Sequence, residues 1–201
     1  MRDPDYFRIV ASVEGWLYDD EVELLYRLAS GVTSGAVVEI GSYRGKSTVA
    51  LALGSRDHHR VPVYAIDPHE TFTGAMGFEF QPVDRTEFLR NVLRCEVSEI
   101  VRVVNLPSPV AAAGWNQPVG LLWIDGDHRY DSVKRDLDCW QRHLAPGALV
   151  ALHDSTDPNL GPQQAIREAI EAGRFEQVQL VGVTTVLARR EGSTRLAIDS
   201  L

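Results

Sequence analysis

The residues of this 201-residue chain that could do chemistry stand at the ends of short apolar runs. Ala36-Val-Val-Glu39-Ile runs into Gly41-Ser-Tyr-Arg-Gly45-Lys46-Ser47-Thr48. Val61 to Ile66 ends in Asp67, Val119 to Ile124 ends in Asp125, and Ala148 to Leu152 ends in His153-Asp154. Runs of this length read as buried strands. In an open α/β sheet, ligands bind beyond the carboxyl ends of the strands. One acid at such an end is as well explained as the N-cap of the following helix. Polar, mostly acidic groups at four ends point to a site.

For these groups to meet, the intervening elements must bring the run ends together. Lys46 to Leu53, Glu87 to Val97, Tyr130 to Leu144 and Gly161 to Ala172 read as helices, and Ile100 to Val104 as a further strand. Phe175 to Val181 and Thr184 to Ala188, separated by Gly182-Val183, read as a closing hairpin. Strand alternating with helix predicts a parallel sheet covered on both faces, with right-handed crossovers and one antiparallel strand from the hairpin. Upstream, Val13 to Ser30 reads as mostly helical, with Asp19 and Asp20 marking where the regular helix can start. Thr71 to Asp84, holding Phe72, Gly74, Gly77, Phe78 and Phe80, reads as a mobile apolar loop near the ligand end. Residues 1–30 are then a helical lead-in, 31–190 the core domain and 191–201 a polar tail.

Composition narrows the partners. Twenty basic against 28 acidic side chains give a net charge of −8. That balance repels phosphate backbones and anionic membranes, so neither nucleic acid nor a membrane is expected as partner. Cys95 and Cys139 cannot build a disulfide framework or a CxxC metal knuckle, and read as small buried hydrophobes. No apolar leader precedes Glu14 and no run approaches the ~18 apolar residues of a spanning helix, so the expected location is cytoplasmic. Trp115, Trp123 and Trp140 read as core, and Trp16 as core or a wall of the site.

The glycine turn has two readings. A phosphate-binding P-loop, GxxxxGK[ST], needs four residues between its glycines, and only three separate Gly41 from Gly45. The missing residue is one that lets backbone amides wrap a phosphate. On that reading Lys46 is the cation, the run ending in Asp125 mimics a Walker B strand, and the protein is a nucleotide hydrolase. The second reading is the E/D-x-G-x-x-x-G turn of class I S-adenosylmethionine-dependent methyltransferases, with Asp67 accepting two hydroxyl hydrogen bonds from the ribose.

Glu39-Ile-Gly-Ser-Tyr-Arg-Gly-Lys-Ser-Thr, Ala65-Ile-Asp-Pro-His, Trp123-Ile-Asp-Gly-Asp-His-Arg-Tyr and Leu144-Ala-Pro-Gly-Ala with Leu152-His-Asp together resemble the small bacterial class I methyltransferases of the methyltransferase 24 type. Glu14-Gly15-Trp16-Leu17 is similar to that family's lead-in helix. The resemblance implies an α/β fold: a Rossmann-like, doubly wound, seven-stranded, mostly parallel sheet with an antiparallel last strand and helices on both faces. It implies S-adenosylmethionine as cofactor, held by Glu39, Gly41, Ser42, Tyr43, Gly45, Ser47, Asp67, Pro68, Ser108 and Asp125. Asn105 to Ser108 would lie along the adenine with Ser108 on its exocyclic amine, though the same residues favour a plain turn.

A narrower resemblance is to the metal-dependent catechol-type and macrolide-sugar O-methyltransferases. It implies a divalent ion, such as Mg²⁺, on Asp125, His153 and Asp154. It implies catalytic roles for His128 and His153, with His128 as general base, a task that the ordinary histidine pKa of ~6.5 suits. His153 stands where those relatives usually carry an acid, and an imidazole ligand moves the preference from Mg²⁺ toward manganese, iron, nickel or zinc. Asp127 reads as a further contact or a helix cap, and Asp131 as the better cap. The expected activity is methyl transfer to a hydroxyl of a small-molecule acceptor (a sugar, a phenol or a secondary metabolite), with Thr71 to Asp84 closing over it. A homodimer is the expected assembly on base rates. The alternatives are the nucleotide hydrolase and a non-enzymatic cofactor-binding protein on the same fold.

Overall fold

The apolar runs pair edge to edge in the computed structural model, which describes residues 5–190. In chain order the elements are α1 (Asp5–Ala11), α2 (Asp19–Ser30), β1 (Ala36–Ile40), α3 (Lys46–Asp57), β2 (Val63–Ile66), β3 (Phe72–Thr73), β4 (Glu79–Phe80), α4 (Pro82–Arg94), β5 (Val101–Val104), α5 (Ser108–Ala113), β6 (Val119–Ile124), α6 (Tyr130–Trp140), β7 (Leu144–Leu152), α7 (Gly161–Glu171), β8 (Phe175–Val181) and β9 (Thr184–Arg189).

Seven strands form one sheet in the order β5-β2-β1-β6-β7-β9-β8, and β3 pairs with β4 in a separate hairpin. Strands β5, β2, β1, β6 and β7 pair in parallel, and β9 runs antiparallel to both β7 and β8. Every residue of β1 is buried, as expected of a central parallel strand covered on both faces. One face packs against α1 to α4 through Val10, Leu25, Leu51, Leu53 and Phe88. The other packs against α5 to α7 through Leu137, Trp140, Ile166 and Ala169. Because β1 connects onward to β2 on one side while β6 lies on the other, the sheet opens a crevice at the carboxyl end of β1.

Several boundaries differ from the sequence reading, each for a local reason. Residues 13–18 are not helical, and the lead-in segment Glu14 to Leu17 is irregular. It is held on the glycine turn instead: Lys46 Nζ donates to the Gly15 carbonyl (3.1 Å), and Arg44 pairs with Glu14. Helix α4 starts at Pro82 rather than Glu87, since proline suits the first helical position and Asp84 accepts from the Gln81 N–H (2.8 Å). The segment from Thr71 to Asp84 therefore holds a hairpin and the first turn of α4. Helix α6 ends at Trp140, and a 3₁₀ turn, Gln141–His143, leads into β7. Strand β7 starts at Leu144 rather than Ala148, with Pro146-Gly147 inside it at a register shift. Helices α1 and α5 were not expected. The tail at 191–201 lies outside the described residues. Among the described residues, no helix is long and apolar enough to cross a membrane.

The tightest interhelical approach gives a test. A Cβ on Gly54 of α3 would stand 2.2 Å from the Tyr26 carbonyl oxygen of α2, whereas one on Gly114 would meet nothing nearer than 3.9 Å. Gly54→Ala should lower the unfolding free energy by about 1–3 kcal/mol in urea titration, as overpacking does. Gly114→Ala should leave it within about 0.5 kcal/mol. Equal effects would contradict this packing.

Candidate active site

Sheet register gathers the polar groups. Ile40 pairs with Ile66 on one side and Ile124 on the other, Ile124 with Leu152, and Leu152 with Thr185. The ladder then runs one residue further. Gly41 N–H donates to the Ile66 carbonyl (3.0 Å), Asp125 N–H to Ile40 (2.9 Å) and His153 N–H to Ile124 (3.1 Å). Asp67, Gly41, Asp125, His153 and Thr184 thus form one transverse row. Their neighbours two residues away, Ala65, Trp123, Ala151 and Val186, pack into the core beneath α1 to α4. Strand side chains alternate, so the row projects on that same face.

Gly41 sits mid-row, with φ of +84°. A Cβ there would stand 2.4 Å from the Asp125 carbonyl oxygen. The glycine is therefore required first by the approach of β1 to β6, not only by approach to a ligand. Three non-glycine residues with positive φ flank the row: Tyr43 (45°), His69 (49°) and Asp154 (48°). Such conformations persist where surrounding contacts over-determine them.

On the β2 side, Asp67 binds the glycine turn. Its Oδ2 accepts from the Ser42 and Tyr43 amides (2.9 and 3.1 Å), and Oδ1 accepts from the His69 amide (2.8 Å). A carboxylate offers about four lone-pair sites, so three are taken and one remains where two ribose hydroxyls were expected. His69 completes this corner. Its Nε2 meets the Tyr43 carbonyl (2.9 Å), and Asn105 Nδ2 reaches both His69 Nδ1 (3.1 Å) and the Asp67 carbonyl (3.0 Å). Among the described residues, the buried Ser42 hydroxyl has no partner. Pro68 is part-buried beside Asp67, and Gly45 caps α3.

Other expected contacts are placed elsewhere. Glu39 is fully buried beneath the turn, where Ser47 Oγ (2.5 Å) and Thr48 Oγ1 donate to its two oxygens. Both Glu39 and Ser47 thereby lock the strand-to-helix join from below. Burial pushes the Glu39 pKa up to about 8, against the pull of those two hydroxyls. Ser108 opens α5 and is buried, and its hydroxyl accepts from Trp140 Nε1 of α6 (2.9 Å). Asp127 is a local brace, accepting from the Arg129 side chain (3.0 Å) and Ser132 Oγ (2.7 Å). The nucleotide-hydrolase reading fails on the same geometry. A carboxylate occupies the amides a phosphate would need, and Lys46 is turned to Gly15.

At the other end of the row, two histidines meet two acids. His153 Nδ1 lies 3.1 Å from Asp125 Oδ1 and 3.4 Å from Asp154 Oδ2. His128 Nε2 lies 3.5 Å from the same Asp125 oxygen and 3.1 Å from the same Asp154 oxygen. Burial opposes protonation of both rings, but the two acids overcome it, pushing His153 up to about 12 and His128 up to about 9. Asp125 and Asp154 are held low in return by the two rings, against burial. His128 is therefore a cation at neutral pH when paired this way, not the free base that its ordinary pKa suggested. His128 Nε2 is buried without a formed hydrogen bond, and atoms of Asp125, His128 and His153 all lie within 4.8 Å of one another. Metal bonds of about 2.0–2.2 Å put neighbouring donors roughly 3.0–3.5 Å apart. The contacts of Asp125 with His153 and His128, 3.1 and 3.5 Å, fall in or at the edge of that range, so Asp125, His153 and, beyond the expected set, His128 are the donors that fit a divalent ion, while Asp154 reaches both imidazoles but is not in that mutually close group.

Two features were left open or missed by the sequence reading: Trp16, read as core or a wall of the site, and Glu21. Trp16 stacks on Tyr43 and packs on Phe78 (both 5.0 Å between centroids), and Phe80 meets Tyr43 edge-on (5.5 Å). With Trp16 about half exposed, these rings make an aromatic wall over the turn. The hairpin that carries Phe78 and Phe80 is tied down beside His128, where Arg129 donates to the Thr73 carbonyl (2.9 Å) and lies over Phe72. The second is Glu21, buried against His153, for which no local signal existed beyond its place in the first turn of α2.

Comparison with known proteins agrees with this architecture. A family model described as Methyltransferase domain matches residues 38–155. An O-methyltransferase from Bacillus cereus in complex with SAH superposes with a TM-score of 0.67 at 16% identity, covering 94% of this chain and 93% of that one. TomG, an O-methyltransferase from Streptomyces achromogenes involved in tomaymycin synthesis and bound to SAM, gives 0.64 at 16% identity over 94% and 91%. CalS11, a TDP-rhamnose 3'-O-methyltransferase of calicheamicin biosynthesis, gives 0.61 at 18% identity over 86% and 78%. At these identities the likeness is one of fold.

Glu39 supplies a pH test. Its folded pKa of about 8 stands above its ordinary 4.5, so the folded state holds the proton more tightly. Stability should fall as pH rises between those values, by at most about 1.4 kcal/mol per pH unit. Glu39→Gln should flatten that slope in thermal melts from pH 5 to 8. An unchanged slope would contradict the burial described.

Proposed function

The chain belongs to the methyltransferase-domain family, and on that premise we propose that it transfers a methyl group from S-adenosylmethionine to a hydroxyl of a small molecule. The observation that carries this is the composition of one row. A carboxylate embraced by a glycine turn stands on one side of Gly41, and three mutually close nitrogen and oxygen donors, from Asp125, His128 and His153, stand on the other. The cofactor's ribose belongs on the remaining acceptor site of Asp67, with the unpartnered Ser42 hydroxyl available to its amino-acid end. Leu106, exposed just past β5, offers an apolar surface for the adenine. The acceptor belongs at the histidine end, under the Trp16 wall, and the two would meet over Gly41, where no side chain intervenes.

Methyl transfer from a sulfonium is an in-line displacement, so alignment is the main task, and good positioning can supply ~7–11 kcal/mol of the barrier. Asp125, His128 and His153 would hold a divalent ion, and such an ion, when bound, acidifies a hydroxyl and fixes its direction. With two imidazoles in the set, manganese, iron, nickel or zinc is favoured over Mg²⁺. His128 then serves as ligand rather than general base. The hairpin from Phe72 to Phe80 excludes water from above. A sugar or natural-product acceptor is supported by the likeness to CalS11, a TDP-rhamnose 3'-O-methyltransferase, and to TomG, which is involved in tomaymycin synthesis.

Isothermal titration tests this. Wild type should bind S-adenosylmethionine with micromolar affinity, and Asp67→Ala should weaken binding at least about tenfold, since a buried, charge-assisted hydrogen bond and the turn itself are lost. Added Mn²⁺ should give a further heat that Asp125→Ala abolishes. Folded protein with no cofactor heat would overturn the proposal. Cofactor binding without a metal heat would leave a metal-independent methyltransferase.

A further inference from the structure

We infer that Glu21 is a positioning residue for His153, fixing which nitrogen of that ring faces the donor cluster; this rests on reading the cluster as a divalent-cation site. Glu21 lies on α2 with no exposed surface. Its Oε1 accepts from the Thr184 hydroxyl (2.8 Å) and the Val183 N–H (3.2 Å). Its Oε2 accepts from the Tyr18 N–H (3.2 Å) and faces His153 Nε2 at 3.5 Å. That nitrogen is buried, and no formed hydrogen bond reaches it. Buried N–H groups are rarely left unpaired, and Glu21 Oε2 is the acceptor 3.5 Å from this one, so a closure of a few tenths of an ångström, roughly to ordinary N–H···O length, completes the pair. When a divalent ion replaces the Nδ1 proton between His153 and the acids, a proton held on Nε2 leaves the Nδ1 lone pair to the ion. An outer carboxylate on a ligating histidine fixes tautomer and ring direction in this way.

Helix capping alone does not account for Glu21. A capping glutamate works at an exposed helix start, whereas this one is enclosed by the β8–β9 turn. A Cβ on Gly182 (φ +55°) would stand 3.0 Å from Glu21 Cγ and 3.1 Å from Oε1. The turn is shaped around the carboxylate. Thr184, its partner, is the row neighbour of His153. Glu21 therefore joins the lead-in helix, the closing hairpin and the histidine end of the row at one point.

Glu21→Gln keeps the size, and its amide oxygen can still accept from Thr184 and Val183. Its NH₂ cannot accept from His153 Nε2–H and favours the opposite tautomer. In titrations with MnCl₂ the variant should bind roughly 10–100-fold more weakly than wild type, with affinity for S-adenosylhomocysteine unchanged. Thr184→Val removes a bond to the same carboxylate without touching Oε2. It should lower thermal stability and leave Mn²⁺ affinity within about threefold. Equal losses in the two variants, or none in Glu21→Gln, would overturn the inference. If wild type binds no Mn²⁺, the cation reading falls, and ¹⁵N NMR of the imidazoles decides on Glu21. A slowly exchanging His153 Nε2–H that disappears in Glu21→Gln supports it, and identical spectra overturn it.

Discussion

Every feature of the candidate site depends on one register. Asp67, Gly41, Asp125, His153 and Thr184 are neighbours because four strand pairings extend in step one residue past the last apolar pair. Strand side chains alternate, so a slip of one residue in any pairing would send that side chain to the opposite face. The apolar rows behind, from Val37 to Val186 on one face and Val38 to Leu187 on the other, fix the register by burial on both sides. The chemistry thus costs the fold little of its own: core packing that stabilises the sheet also aligns the row.

Electrostatics explains why so many acids can converge. Glu39, Asp67, Asp125, Asp154 and Glu21 are all shielded to some degree, and each is answered differently. Glu39 receives two hydroxyls and is pushed toward neutrality. Asp67 receives three backbone amides. Asp125 and Asp154 share two imidazoles, and Glu21 faces one of them from behind. Buried charges persist when paired and hydrogen-bonded. The consequence for function is a division of labour, with the amide-bound acid presenting acceptor capacity and the histidine-bound acids forming a set that one divalent cation could replace protons to enter.

Much of this was legible in the chain, because strand ends and turn glycines are local signals. The acid after each apolar run is visible without any knowledge of the partner strand. What stayed hidden was non-local. Glu21 meets Thr184 across 163 residues, and nothing near Glu21 announces it. The strap from Glu14 to Leu17 reads as helix on periodicity, but contacts of Gly15 with Lys46 and Glu14 with Arg44 override that preference. Ser108 had the right type and place for an adenine contact, yet Trp140, 32 residues later, takes its hydroxyl. The pairing of His128 with Asp154 was hidden too, since the ordinary pKa of a histidine says nothing of the acids beside it.

What occupies the two ends of the row decides the chemistry of the site. The most direct measurement is a crystal structure grown with MnCl₂ and S-adenosylhomocysteine, with anomalous data collected at the manganese edge. It should show one anomalous peak bonded to Asp125, His128 and His153, and the ribose on Asp67. An anomalous peak elsewhere, or a nucleoside bound away from Asp67 and the glycine turn, would contradict it.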